Sequence, residues 1–252
     1  MWANWAVTTT NTSTTANFDR GAMRTALSLA RRGLGSVWPN PAVGCVLVRE
    51  DLGHRIVGRG WTQDGGRPHA ETEALGRAGE LARGATAYVS LEPCNHQGET
   101  GACSEALINA GVKRCVIATE DSDPRVSGGG VKRLQNAGVE TLTGICQKEA
   151  LYLNVGFLMR VTEGRPMFTL KPATTLDGRV ATVRGNSKWI TGAGARAFAH
   201  GLRADHDAIL IGIGTALADN PSLTCRLPGM EDRSPVRIVA DSALRLAPDS
   251  LL

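Results

Sequence analysis

The chain has 252 residues, of which 42 % are hydrophobic and 21 % are charged, a composition typical of one or two globular domains. Its net charge of +4 is spread along the sequence with no run of five Lys and Arg, so the charge does not indicate a nucleic-acid partner. The apolar runs are shorter than the roughly 18 residues that a membrane-spanning helix needs, so no membrane span is predicted.

Residues 1–17 are rich in Thr and Asn and are predicted to be a disordered tail. They lack the basic segment followed by an apolar one that marks a secretory leader. We therefore expect a cytoplasmic protein, whose six cysteines stay reduced because disulfides are rare in that compartment.

Helix and strand patterns alternate along the next part of the chain. Apolar spacing predicts helices over 19–32, 69–79, 103–110 and 131–137, and strands over 42–48, 56–58, 85–91, 115–119 and 140–143. Elements of these lengths in this order predict an α/β sandwich in which much of the sheet is parallel.

A second unit is predicted after a linker helix and turn over 147–166, with the helix itself over 148–161. Its predicted elements are strands over 167–172, 208–213 and 236–240 and a helix over 195–203. Because three short strands make a poor core, we expect this unit to be incomplete or to depend on a partner.

The strongest chemical pattern in the sequence is a zinc motif. His69-Ala70-Glu71 is followed by Pro93-Cys94 and then by Cys103, and zinc deaminases carry His-x-Glu followed by Pro-Cys-x-x-Cys. The wider spacing here requires only that Cys103 return to the metal, since a hydrolytic zinc takes three protein ligands and one water. Glu71 is predicted to carry a proton from that water to a ring nitrogen and then to the departing ammonia.

Other interpretations of the cysteines and histidines stay open. His96 could be a fourth ligand, which would make the zinc structural rather than catalytic. Cys45, Cys115 and Cys146 lie in or beside apolar runs and are interpreted as core residues, whereas Cys225 could be either core or reactive.

Seven segments of the sequence resemble the bifunctional riboflavin-biosynthesis enzymes of the RibD/RibG family. They are PNPAVGCVLV (39–48), GRPHAETEAL (66–75), AYVSLEPCNHQG (87–98), DSDPRVSGGG (121–130), LKPATTLDGRVA (170–181), SKWIT (187–191) and GIGTALADNPSLTCR (212–226). The resemblance implies a three-layer α/β/α cytidine-deaminase-like domain over 18–146. It also implies the first part of a dihydrofolate-reductase-like α/β domain over 167–252. Because the family's reductase continues past residue 252, we expect the chain to be truncated and to have little reductase activity alone.

The resemblance implies two reactions on phosphorylated pyrimidines. The first is zinc-dependent hydrolytic deamination of 2,5-diamino-6-ribosylamino-4(3H)-pyrimidinone 5′-phosphate. The second is NADPH-dependent reduction of the ribosyl group of 5-amino-6-(5-phosphoribosylamino)uracil to a ribityl group. The implied cofactors are Zn²⁺ and NADPH, and the family tends to form homo-oligomers. A nucleoside or nucleic-acid deaminase of the same fold is the first alternative, although the sequence has no basic stripe with interleaved aromatic residues. A degenerate or purely structural zinc protein is the second.

The resemblance also assigns roles to individual residues. The zinc ligands are His69, Cys94 and Cys103, the proton donor is Glu71, and the deaminase substrate positions are Asn40 and His96. The cofactor positions of the reductase are Ala173, Trp189, Thr215 and Asp219, and its substrate positions are Ser187, Arg203, Leu223 and Arg226. Asn40 could instead be a turn residue and Trp189 a core residue. Guanidinium forks such as those of Arg203 and Arg226 suit a phosphate.

The segment before Cys103 departs from the family pattern. The family usually has Lys or Arg followed by Thr-Pro-Pro-Cys, where this chain has Gly98-Glu99-Thr100-Gly101-Ala102-Cys103. Loss of the prolines loosens the loop by an entropic cost of about 1 kcal/mol. Glu99 stands where a cation would meet the ribose phosphate, so we expect altered phosphate affinity with zinc binding retained.

Overall fold

The computed structural model describes residues 10–95, 101–121 and 128–252. The chain divides into two compact units, which are described separately. The first contains the chain up to Gly33 together with Pro39–Met167, and the second contains Leu34–Trp38 together with Phe168–Leu252. The segment 147–166, predicted to be a linker, belongs to the first unit.

A five-stranded sheet forms the centre of the first unit. Its strands are β1 (Gly44–Arg49), β2 (Arg55–Trp61), β3 (Thr86–Val89), β4 (Arg114–Ile117) and β5 (Glu140–Thr143), in the order β2-β1-β3-β4-β5. β1 is antiparallel to both of its neighbours, whereas β3, β4 and β5 are parallel. Because β1, β3 and β4 are covered on both faces, they read as continuous apolar runs in the sequence.

Helices cover both faces of this sheet. They are α1 (Thr10–Ala30), α2 (Ala70–Ala78), α3 (Cys103–Asn109), α4 (Gly129–Asn136) and α5 (Gln147–Leu153). A further helix, α6 (Val155–Glu163), follows α5 and has no fully buried residue. One core cluster joins α1 and α5 to the sheet around Met23, Val46 and Tyr88, and the other joins α2, α3 and α4 to the opposite face around Leu47 and Leu107. The predicted three-layer α/β/α architecture is therefore confirmed.

The first helix begins earlier than the sequence predicted. α1 begins at Thr10 rather than Asp19, so residues 10–17 are helical and the predicted disordered tail is wrong for them. Residues 1–9 lie outside the described residues. Asp is a residue type that often caps a helix N-terminus, but Asp19 lies in the middle of α1. Its carboxylate is buried and accepts hydrogen bonds from Arg114 and Tyr88.

The helix predicted over 148–161 is broken into α5 and α6 at Asn154. This residue has φ −104° and ψ 19°, and its side chain forms two hydrogen bonds with the backbone of Ala42. The apolar spacing of the segment gives no sign of the break, because its cause is a contact with a distant part of the chain.

The second unit contains α7 (Ala193–Asp205), β6 (Ala208–Gly212), α8 (Ile213–Asp219) and β7 (Val236–Ala240). β6 and β7 pair in parallel, as two of the predicted strands. The strand predicted over 167–172 is wrong, since this segment pairs with no strand among the described residues and Leu170 is 91 % exposed. The short helix α8 was not predicted.

Candidate active site

Three segments of the first unit bring a histidine and two cysteines together. His69 directly precedes α2, Cys94 lies in the loop after β3, and Cys103 is the first residue of α3. Their ligand atoms all lie within 4.8 Å of one another. His69 Nδ1 is 3.3 Å from Cys103 Sγ and 3.7 Å from Cys94 Sγ. The motif residues therefore meet despite the wider spacing of the cysteines.

The surroundings of the two sulfurs favour a thiolate. Hydrogen bonding from the Cys103 thiol, opposed by burial and assisted by His69, lowers the pKa of Cys94 to about 4. The Cys103 backbone N–H, at the positive end of α3, also points to Cys94 Sγ at 3.3 Å. The same hydrogen bond between the sulfurs raises the pKa of Cys103, because the two thiols share one proton. Zinc binding releases such a proton, since the metal binds thiolates.

Glu71 lies buried in the first turn of α2, with 3 % of its surface exposed. Burial raises its pKa to about 7, against the opposing effect of His69. A carboxyl group with a pKa near neutrality can both accept and donate a proton, as a general acid–base catalyst must. The thiols of Cys45 and Cys115 lie in the core on the same side of the sheet, and burial followed by the charge of Glu71 raises the pKa of Cys115.

The donor set fits a catalytic zinc ion. One imidazole and two thiolates are ligands that zinc prefers, and three protein ligands leave a position for water. Among the described residues, the potential metal ligands that cluster are His69, Cys94 and Cys103. His96, predicted as a substrate contact or a fourth ligand, lies outside the described residues, as does Glu99.

Asn40 lies beside the segment that leads to the first zinc ligand. Its Nδ2 donates a hydrogen bond to the carbonyl oxygen of Gly66 at 2.9 Å. Gly66 has φ +86°, and a Cβ atom there would lie 2.1 Å from Asn40 Nδ2, so only glycine fits. Asn40 is therefore connected to the backbone just before His69.

Glu92 supports the site and was missed from the sequence. Its buried carboxylate accepts hydrogen bonds from the backbone N–H groups of Asp121, Gly128, Gly130 and Val131, at distances between 2.8 and 3.1 Å. These bonds tie the start of α4 to the segment that carries Cys94. A charged residue at the end of the apolar run before Cys94 was the available signal in the sequence.

The remaining cysteines are mostly core residues. Cys45 and Cys115 are buried, which confirms their interpretation as core residues. Cys225 is also buried, which favours the core alternative for this residue. Cys146 is half-buried at the start of α5 and has the left-handed φ of +59°. All four are free thiols.

The second unit brings two of the predicted substrate residues together. Arg203 Nη1 donates to the carbonyl oxygen of Thr224 at 2.8 Å, and Arg226 Nη1 contacts Thr224 Oγ1 at 3.2 Å. His200, which was missed from the sequence, accepts from the Arg226 backbone N–H at 3.2 Å. Burial, and then the neighbouring charge of Arg226, lowers the pKa of Arg203. Leu223 is buried in the same segment.

The other predicted positions of the second unit lie on separate elements. Ser187 and Trp189 precede α7, Ala173 lies in an irregular segment, and Thr215 and Asp219 are on α8. Trp189 is 74 % exposed and the Arg196 guanidinium lies 4.6 Å from its ring centroid, so the core interpretation of Trp189 is wrong. In the part of the chain that the structure describes, no helix is long and apolar enough to span a membrane.

Two family models match the chain in sequence order. The cytidine and deoxycytidylate deaminase zinc-binding region matches residues 16–119, and the RibD C-terminal domain matches residues 166–252.

Known proteins match across both units. The riboflavin biosynthesis protein RibD of Aquifex aeolicus is 49 % identical over 228 residues, which are 90 % of this chain and 63 % of that protein. The protein of the same name from Escherichia coli is 46 % identical over 241 residues, 91 % of this chain and 65 % of that protein. The chain thus spans less than two thirds of the length of these relatives.

Solved structures agree with this likeness. A diaminohydroxyphosphoribosylaminopyrimidine deaminase/5-amino-6-(5-phosphoribosylamino)uracil reductase from Thermotoga maritima superposes with a TM-score of 0.85 and 42 % identity, covering 93 % of this chain and 66 % of that one. RibD from Acinetobacter baumannii superposes with a TM-score of 0.83 and 45 % identity, with the same coverage of both chains.

Proposed function

The chain belongs to the RibD family of riboflavin biosynthesis proteins, and we propose that its first unit is a zinc-dependent deaminase of a diaminopyrimidine ribosylamine 5′-phosphate. The observation that carries the proposal is the cluster of His69, Cys94 and Cys103 with the buried carboxyl group of Glu71 close by. The substrate is 2,5-diamino-6-ribosylamino-4(3H)-pyrimidinone 5′-phosphate, by analogy with the relatives.

The first-unit residues divide the chemistry between metal binding and proton transfer. His69, Cys94 and Cys103 would hold the zinc ion, which would lower the pKa of a bound water to about 7. Glu71 accepts a proton from the attacking water and donates it to the ring nitrogen next to the aminated carbon. The water oxygen forms a bond to the aminated carbon, and Glu71 then carries the proton of the resulting hydroxyl group to the amino group. The carbon–nitrogen bond breaks, ammonia leaves, and a carbonyl group remains.

Asn40 is proposed to contact the pyrimidine from the loop beside the zinc ligands. An amide can donate and accept hydrogen bonds together, which suits the mixed edge of a diaminopyrimidinone. The hydrogen bond from its Nδ2 to the carbonyl oxygen of Gly66, three residues before His69 in the sequence, holds the side chain in one orientation.

The second unit is proposed to contribute to the NADPH-dependent reduction. Arg203 and Arg226 are the groups that we expect to bind the ribose phosphate, and within the described part of the chain neither forms an ion pair. A phosphate between them would relieve the mutual repulsion that contributes to the lowered pKa of Arg203. The positions proposed for NADPH are Ala173, Trp189, Thr215 and Asp219, and the protein is proposed to form a homo-oligomer.

The deaminase proposal is tested by Glu71→Gln, with Glu73→Gln as a matched control on the same helix. Glu73 is partly exposed and is paired with Arg77 at 2.8 Å. We expect ammonia release from the diaminopyrimidine phosphate to fall by at least about 100-fold in Glu71→Gln. Zinc content should stay near that of the wild type in both variants, and Glu73→Gln should keep wild-type turnover.

The outcomes of this test separate the alternatives. Wild-type turnover in Glu71→Gln would remove Glu71 from the mechanism. Ammonia release from cytidine or single-stranded DNA, but not from the pyrimidine phosphate, would indicate the nucleoside or nucleic-acid deaminase. Stoichiometric zinc with no ammonia release from any of these substrates would indicate a structural zinc protein.

A further inference from the structure

The loop that carries Asn40 is held at one end by Asn154, between α5 and α6, and at the other end by Arg160 on α6. Asn154, at the break between α5 and α6, accepts a hydrogen bond from the Ala42 N–H through Oδ1 and donates one to the Ala42 carbonyl oxygen through Nδ2, each at 2.9 Å. Arg160, on α6, donates from Nη2 to the carbonyl oxygen of Pro39 at 2.7 Å. The segment between these contacts is the Asn40 loop, residues 39–42.

The contact between Asn154 and Ala42 is buried. Asn154 is 5 % exposed and Ala42 is 2 % exposed. A displacement of either partner would leave polar atoms unpaired away from water, so the two bonds fix one geometry. An amide is required at this position because it supplies one donor and one acceptor, whereas a carboxylate supplies only acceptors.

The other side of the loop meets the turn before the first zinc ligand. Asn40 Nδ2 donates to the carbonyl oxygen of Gly66, and the Gly66 N–H donates to that of Gln63 at 2.9 Å. The Gln63 N–H donates in turn to the Pro68 carbonyl oxygen at 3.1 Å, directly before His69. A continuous set of hydrogen bonds therefore runs from Asn40 to the residue that precedes the ligand.

We propose that Asn154 is a positioning residue of the deaminase site, which sets the place of Asn40 and, through Gly66, the turn before His69. The inference rests on the proposed deaminase function. By this proposal, the segment that contains α5 and α6 contributes to the deaminase site, although the sequence pattern predicted only a linker there. Cys103 begins α3, Cys94 follows β3, and His69 is also held by α2, which begins directly after it, whereas Asn40 depends on this loop. Loss of the Asn154 amide should therefore affect substrate binding more than zinc binding.

The test uses Asn154→Ala and Asn154→Asp in the full chain. We expect kcat/KM for ammonia release from the pyrimidine phosphate to fall about tenfold in both variants, mainly through KM. Asp should not rescue the effect, because its second oxygen would face the Ala42 carbonyl oxygen. Zinc content should equal that of the wild type. Backbone hydrogen exchange should become faster over residues 39–43 and 63–69.

Two comparisons separate positioning from a general loss of stability. Tyr88→Phe removes a different buried hydrogen bond of the same unit, that to Asp19, and should leave kcat/KM and the exchange of both segments unchanged while the variant unfolds more readily. In an Asn40→Ala background, Asn154→Ala should reduce kcat/KM little further, since residues that act through one another are not additive.

The positioning role and the deaminase function can fail separately. If the wild type releases no ammonia from the pyrimidine phosphate, the proposed function fails, and hydrogen exchange alone decides the role of Asn154. Unchanged exchange over 63–69 in Asn154→Ala overturns the positioning role. So does a loss of kcat/KM that is fully additive with that of Asn40→Ala.

Discussion

Asp19 carries a buried negative charge that two partners compensate. Its oxygens accept hydrogen bonds from Arg114 Nη1 and Nη2 at 2.9 and 2.8 Å and from the Tyr88 hydroxyl at 2.7 Å. Burial alone would raise the pKa of Asp19, but the hydrogen bonds from Arg114 and Tyr88 lower it below its ordinary value. The charge thus joins α1 to β3 and β4, and its removal should lower the stability of the first unit.

The stability that Asp19 contributes should depend on pH. Because the folded-state pKa lies below the unfolded value of about 3.9, the contribution is complete above that value and is lost as the pH falls through the folded pKa. In urea unfolding, Asp19→Asn should be less stable than the wild type by about 3 kcal/mol near neutral pH, since it removes the buried partner of Arg114 and leaves only the exposed carboxylate of Glu140. This difference should shrink below about pH 4.

Comparing the variant with the wild type at each pH cancels the effect of the zinc ligands, which both proteins share. Asp51→Asn removes an exposed partner of Arg49 and is the control, for which we expect little change at any pH. A difference between wild type and Asp19→Asn that is the same at every pH would contradict the charge-based explanation.

Glycines on β2 allow α2 to approach the sheet closely. A Cβ atom at Gly58 would lie 2.2 Å from the Ala74 carbonyl oxygen, and one at Gly60 would lie 2.1 Å from that of Ala70. Ala70 and Ala74 are one turn apart on the buried face of α2, so small side chains meet on both elements. Since α2 begins directly after His69, this contact also determines where the first zinc ligand lies.

Gly60→Ala should therefore disturb both stability and zinc binding. The contact is with backbone, which cannot rotate away, so α2 must shift, at a cost of about 1–3 kcal/mol in the free energy of unfolding. We expect zinc affinity, measured by competition with a chelator, to fall about tenfold. Gly76→Ala is the matched control on α2, where no atom lies within 4 Å of the added carbon.

The control should gain stability, by about 1 kcal/mol, because alanine is the better helix former. Its zinc affinity should be that of the wild type. If Gly60→Ala binds zinc as tightly as Gly76→Ala, the position of α2 does not determine the geometry of the ligands.

Most elements of the first unit could be predicted because the relevant information is local. The apolar run that contains Cys45 predicted β1, and the ordered motif of His69, Cys94 and Cys103 predicted residues that the structure brings together. The break at Asn154 and the four hydrogen bonds to Glu92 could not be predicted, because their partners are distant in sequence. Apolar spacing indicates which face of a helix or strand is buried. It does not indicate where a polar side chain breaks a helix by bonding to a distant part of the chain.

The second unit was harder to predict for the same reason. The segment 167–172 has the residue types of a strand, but a strand also needs a neighbour, and in the described residues the second sheet consists of β6 and β7. Several large apolar side chains of this unit are exposed, among them Phe168, Leu176 and Val183. A two-stranded sheet with so much exposed apolar surface is marginally stable on its own.

At the scale of the whole molecule, zinc should stabilise one unit and not the other. His69, Cys94 and Cys103 all belong to the first unit, so a metal that binds only the folded state raises the stability of that unit alone. Calorimetry of the full chain should resolve two transitions. A chelator should lower the midpoint of the zinc-dependent transition and leave the other unchanged.

His69→Ala is the control for this experiment, because a protein without that ligand should show the lower midpoint already and should not respond to the chelator. Two family models match residues 16–119 and 166–252 in that order, but these matches do not determine how stability is divided between the units. If both transitions move together on chelation, the two units unfold as one cooperative structure. In that case zinc binding also stabilises the second unit, and loss of the metal should abolish both proposed activities.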